Sequence, residues 1–393
     1  MEKTVIIGGG VGGLYTAYYL VKYGYNPRNI TVIAAEWPPY SKHRLAEVLS
    51  EKLSIDYTYI GIYNPLINKG INVIHGFADK IDVAEKKVLL KEGGEITYDN
   101  LVIATGGKPF IPPIRGTDLD NVMTFYDIRD LKKLMRIHGS LRIAVIGAGL
   151  VGLTVASALK RIGASVTVYE LMKNILPGVI DEPLSSKLKD YLVRRGLRIH
   201  TSTRVEEIIG DHRVRGVKAS SRIDSIDIVV FATGVRPNTS IIKNTGIKTV
   251  RGAIRINRNG MTNIENIYAT GDCALSHDLI THKEVYRPLG FVAAHYAKII
   301  ARNITGAREE TRGIVPTIYE NIGGAHVIRV GLSLKEAETL GLAPTIRCEK
   351  TIDQISCIVL EDRTPIGYEA IGFSERIRNK AWQVYYDILN RFF

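Results

Sequence analysis

Apolar positions in this chain fall into short continuous runs that stop at glycines and resume with helical spacing. Thr4-Val5-Ile6-Ile7 breaks into Gly8-Gly9-Gly10-Val11-Gly12-Gly13 and reopens as Leu14-Tyr15-Thr16-Ala17-Tyr18-Tyr19-Leu20. A β-branched run bounded by turn residues reads as a strand, and the segment after it as a helix. The pattern starts again with Arg142-Ile143-Ala144-Val145-Ile146, breaks at Gly147, and continues as a helix to about Ile162. Each unit is followed by another strand, Ile30-Thr31-Val32-Ile33-Ala34-Ala35 and Ala164-Ser165-Val166-Thr167-Val168-Tyr169. Strands alternating with helices predict parallel sheets crossed by helices. Beyond residue 313 the pattern changes to strands at 314–319, 326–330 and 356–360, a turn-rich stretch at 361–365, and a final helix over 376–393. That helix places Ile377, Ala381, Val384, Tyr385, Ile388, Leu389 and Phe392 on one side, for packing against the body, a twin subunit or a membrane surface.

The glycines at both strand ends carry the chemistry. Gly8, Gly10 and Gly13 stand at G-x-G-x-x-G spacing, and so do Gly147, Gly149 and Gly152. A dinucleotide site needs these three for a tight turn, for close approach of backbone to pyrophosphate, and for packing helix on strand. The pyrophosphate then rests on free N–H groups at the helix N-terminus. An acidic residue is expected roughly 20 residues further on, to hold a ribose hydroxyl, and Glu36 and Glu170 follow the next strand in each case. Two fingerprints predict two dinucleotides. A carboxylate at the second site favours a free 2′-hydroxyl, hence NADH over NADPH. Three further strands close on Ala-Thr-Gly, at Ala104-Thr105-Gly106, Ala232-Thr233-Gly234 and Ala269-Thr270-Gly271-Asp272. Small residues at a strand's carboxyl end admit a ligand to the backbone, which makes Gly234 a further cofactor-binding candidate. The expected fold class is α/β: two Rossmann-like dinucleotide-binding domains and a small α+β C-terminal domain.

Composition narrows the partners. With 45% apolar and 23% charged residues and no apolar span of membrane length, the chain reads as globular and cytoplasmic, the terminal helix leaving open a peripheral place at a membrane. The net charge of +12 is dispersed as pairs such as Arg194-Arg195 rather than gathered in a stripe, which argues against nucleic acid and for anionic cofactors and an acidic protein partner. Cys273, Cys348 and Cys357 are the only cysteines; the set fits no disulfide framework and no metal spacing.

The order of G-x-G-x-x-G, Ala104-Thr105-Gly106-Gly107-Lys108-Pro109, Gly147 to Gly152, Ala232 to Asn238 and Tyr268-Ala269-Thr270-Gly271-Asp272-Cys273 resembles the FAD-dependent pyridine nucleotide-disulphide oxidoreductases. Arg287-Pro288-Leu289-Gly290-Phe291 followed by a helix is similar to the NADH oxidase and coenzyme A-disulphide reductase branch. The resemblance implies an FAD domain (1–110 and 246–312) interrupted by an NAD domain (111–245), then a C-terminal interface domain (313–393) through which a homodimer would form. It implies that Gly8, Gly10, Gly13 and Glu36 hold the FAD pyrophosphate and adenosine ribose, that Thr105 and Gly106 close that pocket, and that Asp272 meets the ribityl chain or pyrophosphate. Pro288 suits the first turn of a helix aimed at the flavin.

The chain departs from that branch at one place. Relatives with a redox cysteine carry it some six residues after a tyrosine equivalent to Tyr40; here Tyr40-Ser41-Lys42-His43-Arg44-Leu45-Ala46 ends on alanine. The segment resembles in part the Tyr-x-Arg-x-x-Leu-Ser-Lys pattern of cysteine-free rubredoxin and ferredoxin reductases, with Lys42 at the arginine position, Glu47 where they have lysine, and His43 as a candidate proton donor. The expected function is an FAD-dependent NADH:acceptor oxidoreductase that hands electrons to an acidic carrier protein or oxygen without a cysteine relay. The alternatives are a membrane-associated NADH:quinone oxidoreductase and a flavin-bound sensor that does not turn over.

Overall fold

The computed structural model describes residues 2–136, 141–374 and 377–392. The chain divides into two compact units, the first of residues 1–41, 55–108 and 235–314, the second of residues 42–54, 109–234 and 315–393.

The first unit is built on a five-stranded parallel sheet with Thr4–Ile7 at its centre. Ile30–Ala34 and Asn72–His75 follow on one side, Asn100–Ile103 and Ile267–Ala269 on the other. The register sets Ile7 opposite both Ile33 and Ile103. All four residues of Thr4–Ile7 are buried, as a strand covered on both faces requires. Helices Val11–Lys22 and Gly290–Ile304 pack on each other.

The second unit repeats the plan. Arg142–Ile146 is central, with Ser165–Tyr169 and Arg198–His200 on one side and Ile228–Phe231 and Val122–Thr124 on the other. It also holds an antiparallel five-stranded sheet in the order Thr317–Ile322, Ala325–Gly331, Thr364–Gly372, Gln354–Glu361, Thr345–Lys350. The terminal helix Ile377–Phe392 lays Ile377, Ala381, Val384 and Ile388 on that sheet and leaves Trp382 and Tyr386 exposed. Arg376 and Phe393, expected at its ends, lie outside the described residues. The short helix Leu45–Glu51 belongs to this unit, packed on helix Leu150–Arg161 and tied to it by a paired-oxygen ion pair between Glu51 and Arg161. The expected fold class, two Rossmann-like sheets and a small α+β part, is the one observed. No helix among the described residues is long and apolar enough to cross a membrane.

Candidate dinucleotide sites

In both parallel sheets the chain moves outward from the central strand in one direction, then returns to its other side. The crevice at that reversal, beyond the carboxyl ends of the strands, is where open α/β sheets hold ligands. In the first unit it is bounded by Gly8 and Ala104. Gly8 has φ +116°, and a Cβ there would stand 2.1 Å from the Ala104 carbonyl oxygen. In the second unit Gly147 has φ +105°, and its Cβ would meet the Ala232 carbonyl oxygen at 2.5 Å. The third glycines repeat the likeness: a Cβ on Gly13 would lie 1.9 Å from Gly8 O, and on Gly152 2.0 Å from Gly147 O. The middle glycines behave differently. Gly10 and Gly149 are the N-cap residues of helices Val11–Lys22 and Leu150–Arg161, make no side-chain cap, and would meet nothing within 4 Å. Each site therefore combines tight backbone packing below with open space above uncapped helix N–H groups, which fits a pyrophosphate.

The acidic partners differ. Glu36 is half-buried and accepts a hydrogen bond from Tyr40 Oη at 3.1 Å. Glu170 is buried and holds the backbone of its own site: Ala148 N–H donates to Oε2 at 2.7 Å and Met172 N–H to Oε1 at 2.8 Å. Each carboxylate oxygen keeps a second acceptor position, so Glu170 can brace the glycine turn and still receive a ribose hydroxyl. That bracing function is not legible in the spacing.

The Ala-Thr-Gly endings act as clamps within their units. Thr105 Oγ1 donates to Asn238 O at 2.6 Å, and Asn238 N–H donates to Gly106 O at 2.9 Å. Thr233 donates to Phe110 O, and Phe110 N–H to Gly234 O at 2.9 Å. Gly106 and Gly234 adopt φ +69° and +95°, turning the chain away from the strand end. Thr270 lies against Gly12 and donates to Ala293 O at 2.8 Å, which fixes the chain just ahead of Asp272. Asp278, not singled out in the sequence, is fully buried; it accepts from Thr281 N–H at 2.9 Å and faces Arg287 at 3.5 Å. It thereby anchors the entry to helix Gly290–Ile304. Pro288 precedes the N-cap Leu289 and so stands outside the first turn expected of it.

Lys42 and His43 lie in the second unit, in the 3-10 turn Lys42–Arg44. Lys42 Nζ sits 3.6 Å above the Tyr126 ring, a cation–π contact. His43 Nδ1 is 3.0 Å from Glu320 Oε1, and the hydrogen bond to that carboxylate raises the His43 pKa above its ordinary value. Cys273 is fully buried, and its thiol faces Ile103 O and Thr270 O; burial pushes its pKa up to about 11, so it stays protonated at neutral pH. The other two cysteines correct the sequence reading: Cys348 and Cys357, directly opposite on adjacent antiparallel strands, are joined in a disulfide. The signal was their nine-residue separation across the polar stretch Lys350-Thr351-Ile352-Asp353, the spacing of a hairpin pair.

Residues 2–296 match the family described as pyridine nucleotide-disulphide oxidoreductase. An NADH oxidase of Methanocaldococcus jannaschii is 31% identical over 96% of this chain and 89% of its own length. Among solved structures, an NAD-dependent persulfide reductase from A. fulgidus is 27% identical, with a TM-score of 0.92 over 99% of this chain and 77% of that one. A ferredoxin reductase from Rhodopseudomonas palustris is 26% identical, with a TM-score of 0.87 over 94% and 91% of the two chains. The doubled glycine cradles and these likenesses agree: the chain belongs to the pyridine nucleotide-disulphide oxidoreductase family.

Proposed function

We propose that this member of the family, an FAD-dependent NAD(P)H oxidoreductase, passes electrons from NADH to a carrier protein or oxygen with no cysteine in between. The observation that carries the reading is the repeated cradle: two uncapped helix N-termini, each behind a glycine turn whose first and third glycines leave no room for a side chain. Gly8, Gly10 and Gly13, with Glu36, Thr105, Gly106 and Asp272, would hold FAD; Gly147, Gly149, Gly152, Glu170 and Gly234 would hold the nicotinamide dinucleotide. FAD held there would supply the redox chemistry, hydride uptake from the reduced nicotinamide and electron release to an acceptor. The protein's own contribution is to fix both pyrophosphates on helix dipoles and to supply protons. His43, held protonated to higher pH by Glu320, is the proton donor of this reading, and Lys42 fixes the same turn through Tyr126. The absence of cysteine from the stretch Tyr40 to Ala46, with Cys273 buried and protonated, supports transfer without a thiolate.

The acceptor is approached through charge. At +12 the chain attracts acidic carriers, and that attraction weakens as salt screens beyond about 8 Å at physiological ionic strength. The exposed Trp382 and Tyr386 on the terminal helix would instead favour a quinone at a membrane surface, or a second copy of the chain. NADH oxidation is to be assayed against rubredoxin, ferredoxin, oxygen and a quinone analogue at low and high salt. Carrier turnover that falls with salt supports the proposal; quinone turnover lost on deleting residues 377–393, with flavin retained, overturns it.

A further inference from the structure

The antiparallel sheet of the second unit carries a row of side chains across four neighbouring strands. Cys348 stands opposite Cys357, Cys357 opposite Glu369, and Glu369 opposite Arg329. Residues directly opposite on antiparallel strands share a face, with Cβ atoms about 4.5–5.5 Å apart, so Glu369 is the immediate lateral neighbour of the disulfide. The two halves of that disulfide are unlike. Cys348 is exposed on the edge strand Thr345–Lys350, and Cys357 is fully buried. Glu369 is also fully buried. Its Oε2 accepts from Asp181 N–H at 2.8 Å, and its Oε1 has no hydrogen-bond partner among the described residues. The charged groups around it are the Asp181 carboxylate, on the loop before helix Leu184–Arg194, and Arg329, which is ion-paired with Glu336 and donates to Gly178 O at 2.8 Å. Burial, aided by Asp181 and opposed by Arg329, pushes the Glu369 pKa up to about 8, so the group carries a proton at neutral pH.

We propose that Cys348–Cys357 is a thiol–disulfide exchange site for small thiols, in which Glu369 protonates the buried Cys357 sulfur as it leaves. An incoming thiolate attacks the exposed Cys348 sulfur; the S–S bond breaks and its electron pair departs with Cys357. A bare thiolate is disfavoured in a dry apolar site. The Glu369 proton passes to it, leaving a mixed disulfide at Cys348, a Cys357 thiol and a Glu369 carboxylate. A second small thiolate attacks the small-molecule sulfur of the mixed disulfide and releases Cys348 as thiolate. Two thiols are thereby oxidised to one small disulfide, the cysteine pair gains two electrons, and solvent returns protons to Glu369 and Cys348. Run backwards with a small disulfide as oxidant, the same steps close the pair again. The site takes its electrons from the small thiol and is independent of the dinucleotide sites.

The test is the rate at which dithiothreitol reduces the pair in the flavin-loaded protein, read by alkylation and mass spectrometry from pH 6 to 10. Glu369→Gln is expected to slow reduction at least about tenfold below pH 8, within the range of general acid catalysis, with the difference shrinking above pH 8 and NADH-to-dye turnover unchanged. Glu369→Asp is expected to recover part of the rate. A pair that resists dithiothreitol while the protein stays folded overturns the proposal, as does Glu369→Gln exchanging at the wild-type rate at every pH. Should Glu369→Gln fail to fold, the single-cysteine variants decide. Cys357→Ser is expected to form a mixed disulfide with oxidised 2-mercaptoethanol at Cys348, and Cys348→Ser to form none at Cys357; equal labelling contradicts the asymmetry.

Discussion

Single glycines separate folding from cofactor binding. At Gly13 an added Cβ would lie 1.9 Å from a backbone oxygen, so Gly13→Ala must shift the helix off its strand. We expect it to cost more than about 2 kcal/mol of stability and to lose flavin, checked by thermal melting and by flavin absorbance of the purified protein. Gly10→Ala meets no atom within 4 Å and should melt like wild type. Its methyl group occupies the space over the helix N-terminus, so flavin affinity should fall at least about tenfold, the scale of one lost anion contact. If both variants bind flavin normally, the first cradle is not the FAD site. Glu170 serves two purposes, so Glu170→Ala should both destabilise, by about 1–3 kcal/mol for two orphaned N–H groups, and narrow an NADH preference of at least about tenfold in kcat/KM. These glycines were legible in the sequence because their demands are local: a left-handed turn and a close backbone approach leave one residue type. The brace from Glu170 to Ala148 N–H was not, since it depends on how the strand end meets the turn.

At the level of elements, the antiparallel sheet was only partly legible. Strands were expected at 314–319, 326–330 and 356–360, and the structure has them at Thr317–Ile322, Ala325–Gly331 and Gln354–Glu361, whereas Thr364–Gly372, which starts inside the stretch expected as turn, and the almost wholly polar and exposed edge strand Thr345–Lys350 were not expected. Register is set by partners distant in sequence, and with the register went the disulfide and its neighbour Glu369. A carboxyl whose folded pKa lies near 8, against an ordinary value near 4.5, destabilises the fold increasingly as pH rises between those values. Glu369→Gln should therefore melt higher than wild type at pH 8–9 and nearly like it at pH 5; the reverse order would contradict its burial as a neutral acid. The His43–Glu320 pair has the opposite sign. With the folded pKa of His43 raised, its contribution is present below about 6.5 and is lost as pH climbs through the folded value. Glu320→Gln should lower the melting temperature at pH 6 and leave it unchanged at pH 9. The effect should stay under about 1 kcal/mol, because His43 is largely exposed and the pair is screened by solvent.

Across the whole molecule, one device appears twice: a parallel sheet that reverses direction at a glycine turn, below an uncapped helix. Both copies were readable from spacing alone, whereas the family resemblance needed the order of all five motifs along the chain. The cysteines of this chain lie apart from one another: none in the stretch from Tyr40 to Ala46, one buried and protonated, two closed on each other in a separate sheet. The most direct test of electron transfer without a thiol relay is an anaerobic titration of the flavin-loaded protein with NADH, followed by flavin absorbance. The account predicts full bleaching at one NADH per flavin, with no long-wavelength thiolate-to-flavin charge-transfer band. An endpoint at two NADH per flavin, accompanied by that band, would show a disulfide sharing electrons with the flavin and would contradict it.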